Sequence, residues 1–318
     1  MRNKDINRRD FVKVLGAGIL GLGLPNYAFA QEKPKKIIAK EFSKLPSPDY
    51  YDVAHNEIKW ESASKGLDFS RTEVYRNKEL VDVIATLKIN PEENKLRVFN
   101  GYSSNNSETH TIEDWQKKTG ALAMINSAQY MKNYFPGGLV ICDGKQKGPK
   151  QNKIVRGMLL AEPKDLEGKL KKADLLDFKY DNFNYKTTQY TQGVQHWPIL
   201  LNREGNIRVN STLWQANRTV VAKTKKDEVL FMTTESGYFT LHNFAIFLKK
   251  SNQREDKGFN IHTAMNLDGA YSTQMILKSP NLEYLNYGKF VRRNPQKEVL
   301  PFKVKVKLPG VIGVFPRV

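Results

Sequence analysis

An α+β fold, a single domain built on a large mixed or antiparallel sheet with a few packed helices, is predicted by three features of this sequence. Many short segments are apolar or alternate apolar with polar residues, the two-residue period of a strand. Only two stretches carry a helical period with a capping residue at the start. Strands and helices do not alternate in βαβ order, and no segment repeats.

The elements follow in order from Gly66. Residues 67–75 read as a strand, and 82–89 alternate around Val83, Ala85, Leu87 and Ile89. Asn90-Pro91-Glu92-Glu93-Asn94 turns the chain, and 95–99 return as the next strand. Thr111 caps a short helix that has Asp114 at its third position and Gly120 at its end. Residues 121–125 form a buried strand ending at Asn126-Ser127. Asp143-Gly144 is a hairpin signal between 138–142 and a strand from Gln146, and 154–161 add another. The Lys- and Asp-rich stretch 162–186 reads as a surface excursion. Residues 197–201 and 207–209 flank a turn at 202–206, and 218–222 pair with 229–233 around Lys225-Lys226-Asp227. Thr240 caps a second helix whose apolar face is Leu241, Phe244, Ala245 and Leu248. A strand then ends at Asn266, and alternating residues 303–308 and 311–315 close the chain.

The chain is 318 residues long with a formal charge of +18. Residues 1–30 are set apart: Arg8-Arg9 begin a twin-arginine-like motif, an apolar Gly-rich run follows, and Ala28-Phe29-Ala30 supply small residues for cleavage. This predicts export to a periplasm. Residues 31–65, rich in Lys, Ser and Pro, read as a basic tether, with Ile58 and Trp60 apolar enough to dock. Residues 66–318 form the domain. The first thirty residues hold five Lys/Arg and two Asp/Glu, which leaves +15 on the remainder. That balance favours an anionic partner and peripheral contact with a membrane surface; the predicted destination argues against nucleic acid. Cys142 is the only cysteine, so no intramolecular disulfide forms, and its apolar surroundings predict a strand residue rather than a nucleophile.

The five His residues are dispersed and no Cys pair exists, so no metal motif is evident and no cofactor is predicted, with a divalent metal left open. P-loop, GxGxxG and GxSxG motifs are also absent from the sequence. Polar residues cluster instead at strand ends: Asn126-Ser127, His196-Trp197-Pro198, Asn217-Arg218-Thr219, Glu235-Ser236, and Asn266-Leu267-Asp268-Gly269-Ala270-Tyr271-Ser272. Sheet rims of this kind are where sites are built on such scaffolds.

In this order the pieces resemble the phosphodiester glycosidase family, from about Gly66 to Arg317. Ala123-Met124-Ile125-Asn126 is similar to the family's Ala–Asn strand, and Pro136 to Val140 with Asp143-Gly144-Lys145 to its glycine-leucine hairpin. Arg218-Thr219 resembles its arginine-threonine strand start, and Asn266-Leu267-Asp268-Gly269 its Asn-Leu-Asp-Gly-Gly-x-Ser signature. Three places depart from the pattern. Ser127-Ala128-Gln129 follows Asn126, His196-Trp197 replaces a Ser-Gly pair, and Ala270 stands at the second glycine of the signature.

The resemblance implies cleavage of a sugar phosphodiester or a related envelope glycan. Arg218 then holds phosphate through its planar fork. Asp268 and Glu235 share the acid, base or nucleophile roles, with His196 as a further acid/base. Asn126, Asn266, Ser272, Gly269 and Thr219 line the substrate or orient the carboxylates. Two readings from other classes stand beside it: a binding protein for an anionic glycan without turnover, and an envelope scaffold protein.

Overall fold

The computed structural model describes residues 33–42, 53–103, 107–131, 133–152, 154–165, 168–211, 214–254, 257–294, 297–298 and 303–317. The predicted signal segment 1–30 lies outside them. Among the described residues, three large sheets carry the fold. The first has six strands in the order Lys35–Ile38, Leu282–Tyr287, Gln274–Lys278, Ala123–Asn126, Gly310–Pro316, Asn94–Asn100. The second runs Ile199–Leu201, Ile261–Asn266, Thr219–Thr224, Val229–Thr234, Glu79–Ile89, Leu67–Arg76, Val53–His55, with Glu61–Ser64 paired to Leu67–Arg76. The third has five strands: Ala173–Asp177, Gly157–Pro163, Tyr190–His196, Val140–Cys142, Lys145–Lys147. Pairing is antiparallel except where Lys35–Ile38 runs parallel to Leu282–Tyr287.

Alternation in the second sheet explains how it can be buried on both faces. In Thr219–Thr224, Val221 joins Leu87, Phe231, Ile125, Val194 and Leu159 in the core shared with the other sheets. Its neighbours Val220 and Ala222 point the opposite way, into a core with Phe244, Phe247 and Leu248. Those three belong to helix α2 (Leu241–Asn252), capped by Thr240 accepting from Asn243 N. Helix α1 (Ile112–Thr119) covers the outer face of the first sheet with Ile112 and Trp115. Thr111 caps it and Gly120 ends it in the left-handed conformation, as the sequence predicts. The α+β class and the dominance of sheet therefore hold.

Four local expectations need correction, the simplest being 207–209, where only Ile207 forms an isolated bridge, to Leu201. Within the predicted tether, Lys35–Ile38, Val53–His55 and Glu61–Ser64 pair into the first two sheets, and Ala63 is fully buried. An edge strand joins through its backbone, so the sequence needs no apolar period there. The predicted excursion 162–186 contains the strand Ala173–Asp177, which turns Ala173, Leu175 and Asp177 inward. Its charge misleads because Asp174 pairs with Lys223 at 2.5 Å. Residues 303–307 are extended without a ladder. Val306 O accepts the Gln274 amide and Leu308 bridges His110, so the alternation there marks a half-buried segment and not a strand.

Candidate active site

Strand register brings the predicted motifs to one place. Val220 lies opposite Asn266 and Thr219 opposite Thr233, so the segments opening at Arg218 and closing at Asn266 meet at the same end of the second sheet. The strand Ala123–Asn126 of the first sheet delivers Asn126 to that end. Asn126 is buried, and its amide joins the pieces. Its Oδ1 accepts from Thr219 Oγ1 at 2.8 Å and Gln274 N at 3.1 Å, while Nδ2 donates to Asp268 O at 2.8 Å. Thr219 is fully buried. Of the two expected roles, lining the substrate or orienting the carboxylates, their bonds to protein fit the second: they position the Asp268 turn.

Asp268 is half-buried at this junction. Its backbone N–H donates to Ser127 O at 3.4 Å, Oδ1 accepts from Gly269 N at 3.0 Å, and the Ser272 hydroxyl donates to the carboxylate. Desolvation outweighs these donors and pushes the carboxyl up to about 6. Tyr130, which the sequence alone does not single out, lies near enough for the Asp268 charge to act on its phenol. Its hydroxyl contacts Ser127 Oγ and accepts from Asn100 Nδ2, both at 3.0 Å, and burial pushes its phenol far above the ordinary range. A Cβ at Gly310 would fall 2.0 Å from the Tyr130 oxygen, so only glycine leaves room for the phenol. Separation in sequence conceals that pairing.

Arg218 is buried. Its Nε donates to Phe239 O at 3.1 Å and Nη2 to Trp214 O. A Cβ at Gly269 would lie 3.9 Å from Arg218 Nη1, which places the guanidinium beside the Asp268 turn. No carboxylate pairs with it among the described residues, and desolvation lowers it to about 10. A buried cation held only by carbonyl oxygens is built to receive an anion.

Ala270, at the position of the second signature glycine, has φ 56°. The turn thus demands the conformation that glycine favours, and alanine adopts it with strain. Ala270→Gly is expected to stabilise the fold by about 0.5–1 kcal/mol, the relief of left-handed strain less the added freedom of the unfolded chain. Urea unfolding checks this; an unchanged or lower midpoint would mean that the methyl contributes packing exceeding the strain.

His196 does not fit an acid/base role. Burial lowers it to about 4, so it is neutral near pH 7. The Asn266 carbonyl 2.8 Å from Nδ1 assigns the proton there, and the ring stacks on Trp197 with centroids 5.0 Å apart. His196 Nε2 and Asn266 Oδ1 are buried acceptors without a partner among the described residues. Glu235 is also placed otherwise than expected. Its fully buried carboxylate accepts two bonds from Arg71, one from Tyr284 OH at 2.8 Å and one from Lys40 N at 2.5 Å. Every strong acceptor direction is occupied, so Glu235 anchors sheets and the N-terminal strand segment. Asp82, not singled out from sequence, shapes the turn after it by accepting from Val83, Glu235, Ser236 and Tyr238 N–H. Cys142 is half-buried and its thiol is pushed up to about 12 by burial, in keeping with a strand residue.

Residues 119–315 match the family model described as phosphodiester glycosidase, a hydrolase domain. A crystal structure of a hypothetical protein from Synechocystis has a similar fold, with TM-score 0.50 and 13% identity. That similarity covers 82% of this chain, which spans only 64% of the Synechocystis chain. The catalytic domain of zebrafish N-acetylglucosamine-1-phosphodiester α-N-acetylglucosaminidase, auto-inhibited by its pro-peptide, gives TM-score 0.52 and 15% identity over 88% of this chain and 87% of that one. No curated protein matches the sequence.

Proposed function

We propose, from the premise that this chain belongs to the phosphodiester glycosidase family, that it hydrolyses a sugar phosphodiester at the anomeric C–O bond, using Arg218 and Asp268. The observation that carries this reading is the carboxylate-free Arg218 guanidinium beside the Asp268 turn. Arg218 binds the phosphate and stabilises its charge as the anomeric C–O bond breaks. A phosphate held in this way leaves without needing a proton. With Glu235 committed to Arg71, a single carboxylate suffices: ionised Asp268 takes a proton from the water that attacks the anomeric carbon. The unpartnered acceptors His196 Nε2 and Asn266 Oδ1 suit sugar hydroxyls. The zebrafish relative's name specifies a sugar-1-phosphodiester, and only that class of bond is carried over here. Residues 1–30 would direct the enzyme to the periplasm through a twin-arginine route. Arg8→Lys/Arg9→Lys should leave the protein in the cytoplasmic fraction.

The test is turnover of sugar-1-phosphodiesters across pH. As a base, Asp268 acts only when ionised, so kcat/KM should rise through about pH 6 and level off above it. Asp268→Asn should lower kcat by about 10³-fold and remove that rise. The folded pKa lies above the unfolded value, so ionising Asp268 costs stability as pH increases from about 4 to 6. Asp268→Asn should therefore be more stable than the parent at pH 7, with the gain vanishing at pH 4. Tight phosphodiester binding without hydrolysis in the parent would replace the enzyme with a binding protein.

A further inference from the structure

The third sheet has an outer face far richer in ligand-like features than its role in the core requires. Leu139, Ile141, Met158 and Leu160 point outward from it and are partly roofed by Phe178, Phe183, Tyr185 and Tyr190. The roof is incomplete. A cavity of about 740 Å³ remains over Leu160, Phe183 and Tyr190, rimmed by Asn182, Asn184 and Gln189. A second, of about 330 Å³, shares Lys164, Thr188, Gln189 and Tyr190 with it, so the two form one extended groove.

Charge in this groove is one-sided in effect. Its carboxylates are engaged: Asp174 holds Lys223 at 2.5 Å, and Asp165 accepts from Leu170 N–H. Lys164 and Lys186 are exposed at the groove, and neither has a carboxylate partner among the described residues. Lys145 stands exposed on the adjoining hairpin. Aromatic rings such as Phe183 and Tyr190 beside an apolar floor can accept the C–H faces of sugar rings. Amides at the rim match hydroxyls, and lysines along the length match repeated negative charges. None of these residues contributes to the Asp268 site.

We infer that this groove is a second binding site, for an extended anionic polysaccharide, and that it tethers the protein to such a polymer independently of catalysis. The probe is polygalacturonate in affinity gel electrophoresis, with neutral dextran and a single-stranded oligonucleotide as comparisons. The parent protein should be retarded by polygalacturonate and not by dextran. Lys164→Glu/Lys186→Glu, both at exposed positions, should weaken retention about tenfold or more. Tyr190→Ala should weaken it about tenfold while Tyr190→Phe retains it, because the ring face and not the hydroxyl makes the contact. Hydrolysis of a small soluble sugar-1-phosphodiester should be the same in the lysine variant as in the parent. If the parent hydrolyses none, the binding measurements still decide the matter. Equal retention by dextran, unchanged retention of the lysine variant, or tighter binding of the oligonucleotide through the same lysines would overturn the inference.

Discussion

Replacing Arg218 with alanine should lower kcat/KM on a sugar-1-phosphodiester by about 10³-fold, the scale on which removal of a preorganised charge at the reacting centre is felt. The guanidinium is buried, has no carboxylate partner among the described residues and lies beside the Asp268 turn, so its charge is available to a bound phosphate. Arg218→Lys should recover little. An ammonium keeps the charge but not the fork that reaches Phe239 O, Trp214 O and an anion together. A purely structural arginine would also lose activity on truncation, through misfolding. Free guanidinium separates the two cases: added to Arg218→Ala, it should restore part of the turnover in a saturable way. Failure of rescue in a variant with the parent's circular dichroism and melting temperature would remove Arg218 from the reaction.

The second large effect concerns Glu235 and is one of stability. Glu235→Ala should cost about 3–5 kcal/mol in urea unfolding, the usual result of breaking a buried ion pair from one side. It leaves the Arg71 guanidinium and the buried Tyr284 hydroxyl without their acceptor, and it frees Lys40 N–H. Arg71 is held above its ordinary range chiefly by the hydrogen bond to Glu235. A loss of this size is a large share of the 5–15 kcal/mol typical of a domain. Arg71→Met/Glu235→Leu should be less damaging than Glu235→Ala, since no unpaired charge stays behind. Glu235→Gln keeps one acceptor oxygen, for either the Tyr284 hydroxyl or the Lys40 N–H, and its kcat should fall less than about tenfold. A loss near 10³-fold with unaltered stability would return Glu235 to the catalytic pair that the sequence suggests.

The linear chain is enough to expose the parts governed by local physics. Thr111 and Thr240 announce their helices because a cap hydroxyl must stand immediately before the N–H groups it satisfies. Residues 82–89 and 229–233 reveal strands through apolar runs, and Asn266 to Ser272 marks a site through polar residues at the end of one. The demand for glycine-like backbone at position 270 is likewise local, and φ 56° at Ala270 meets it.

What the chain conceals depends on partners far away along it. Lys35–Ile38 has no telling pattern because an edge strand is recruited through backbone groups. Asn126 and Thr219 look like substrate contacts until their hydrogen bonds to each other appear. Glu235 and Asp268 are both strand-end carboxylates in sequence. Only tertiary structure distinguishes them, by giving Glu235 the Arg71 fork from a strand of the same sheet and leaving Asp268 desolvated in a turn whose Gly269 adjoins the Arg218 guanidinium. Sequence thus determined the residue types available and the strand ends that carry them. The strand order of the folded sheet decided which carboxylate is neutralised by protein and which is left for a ligand, because charge compensation acts through space.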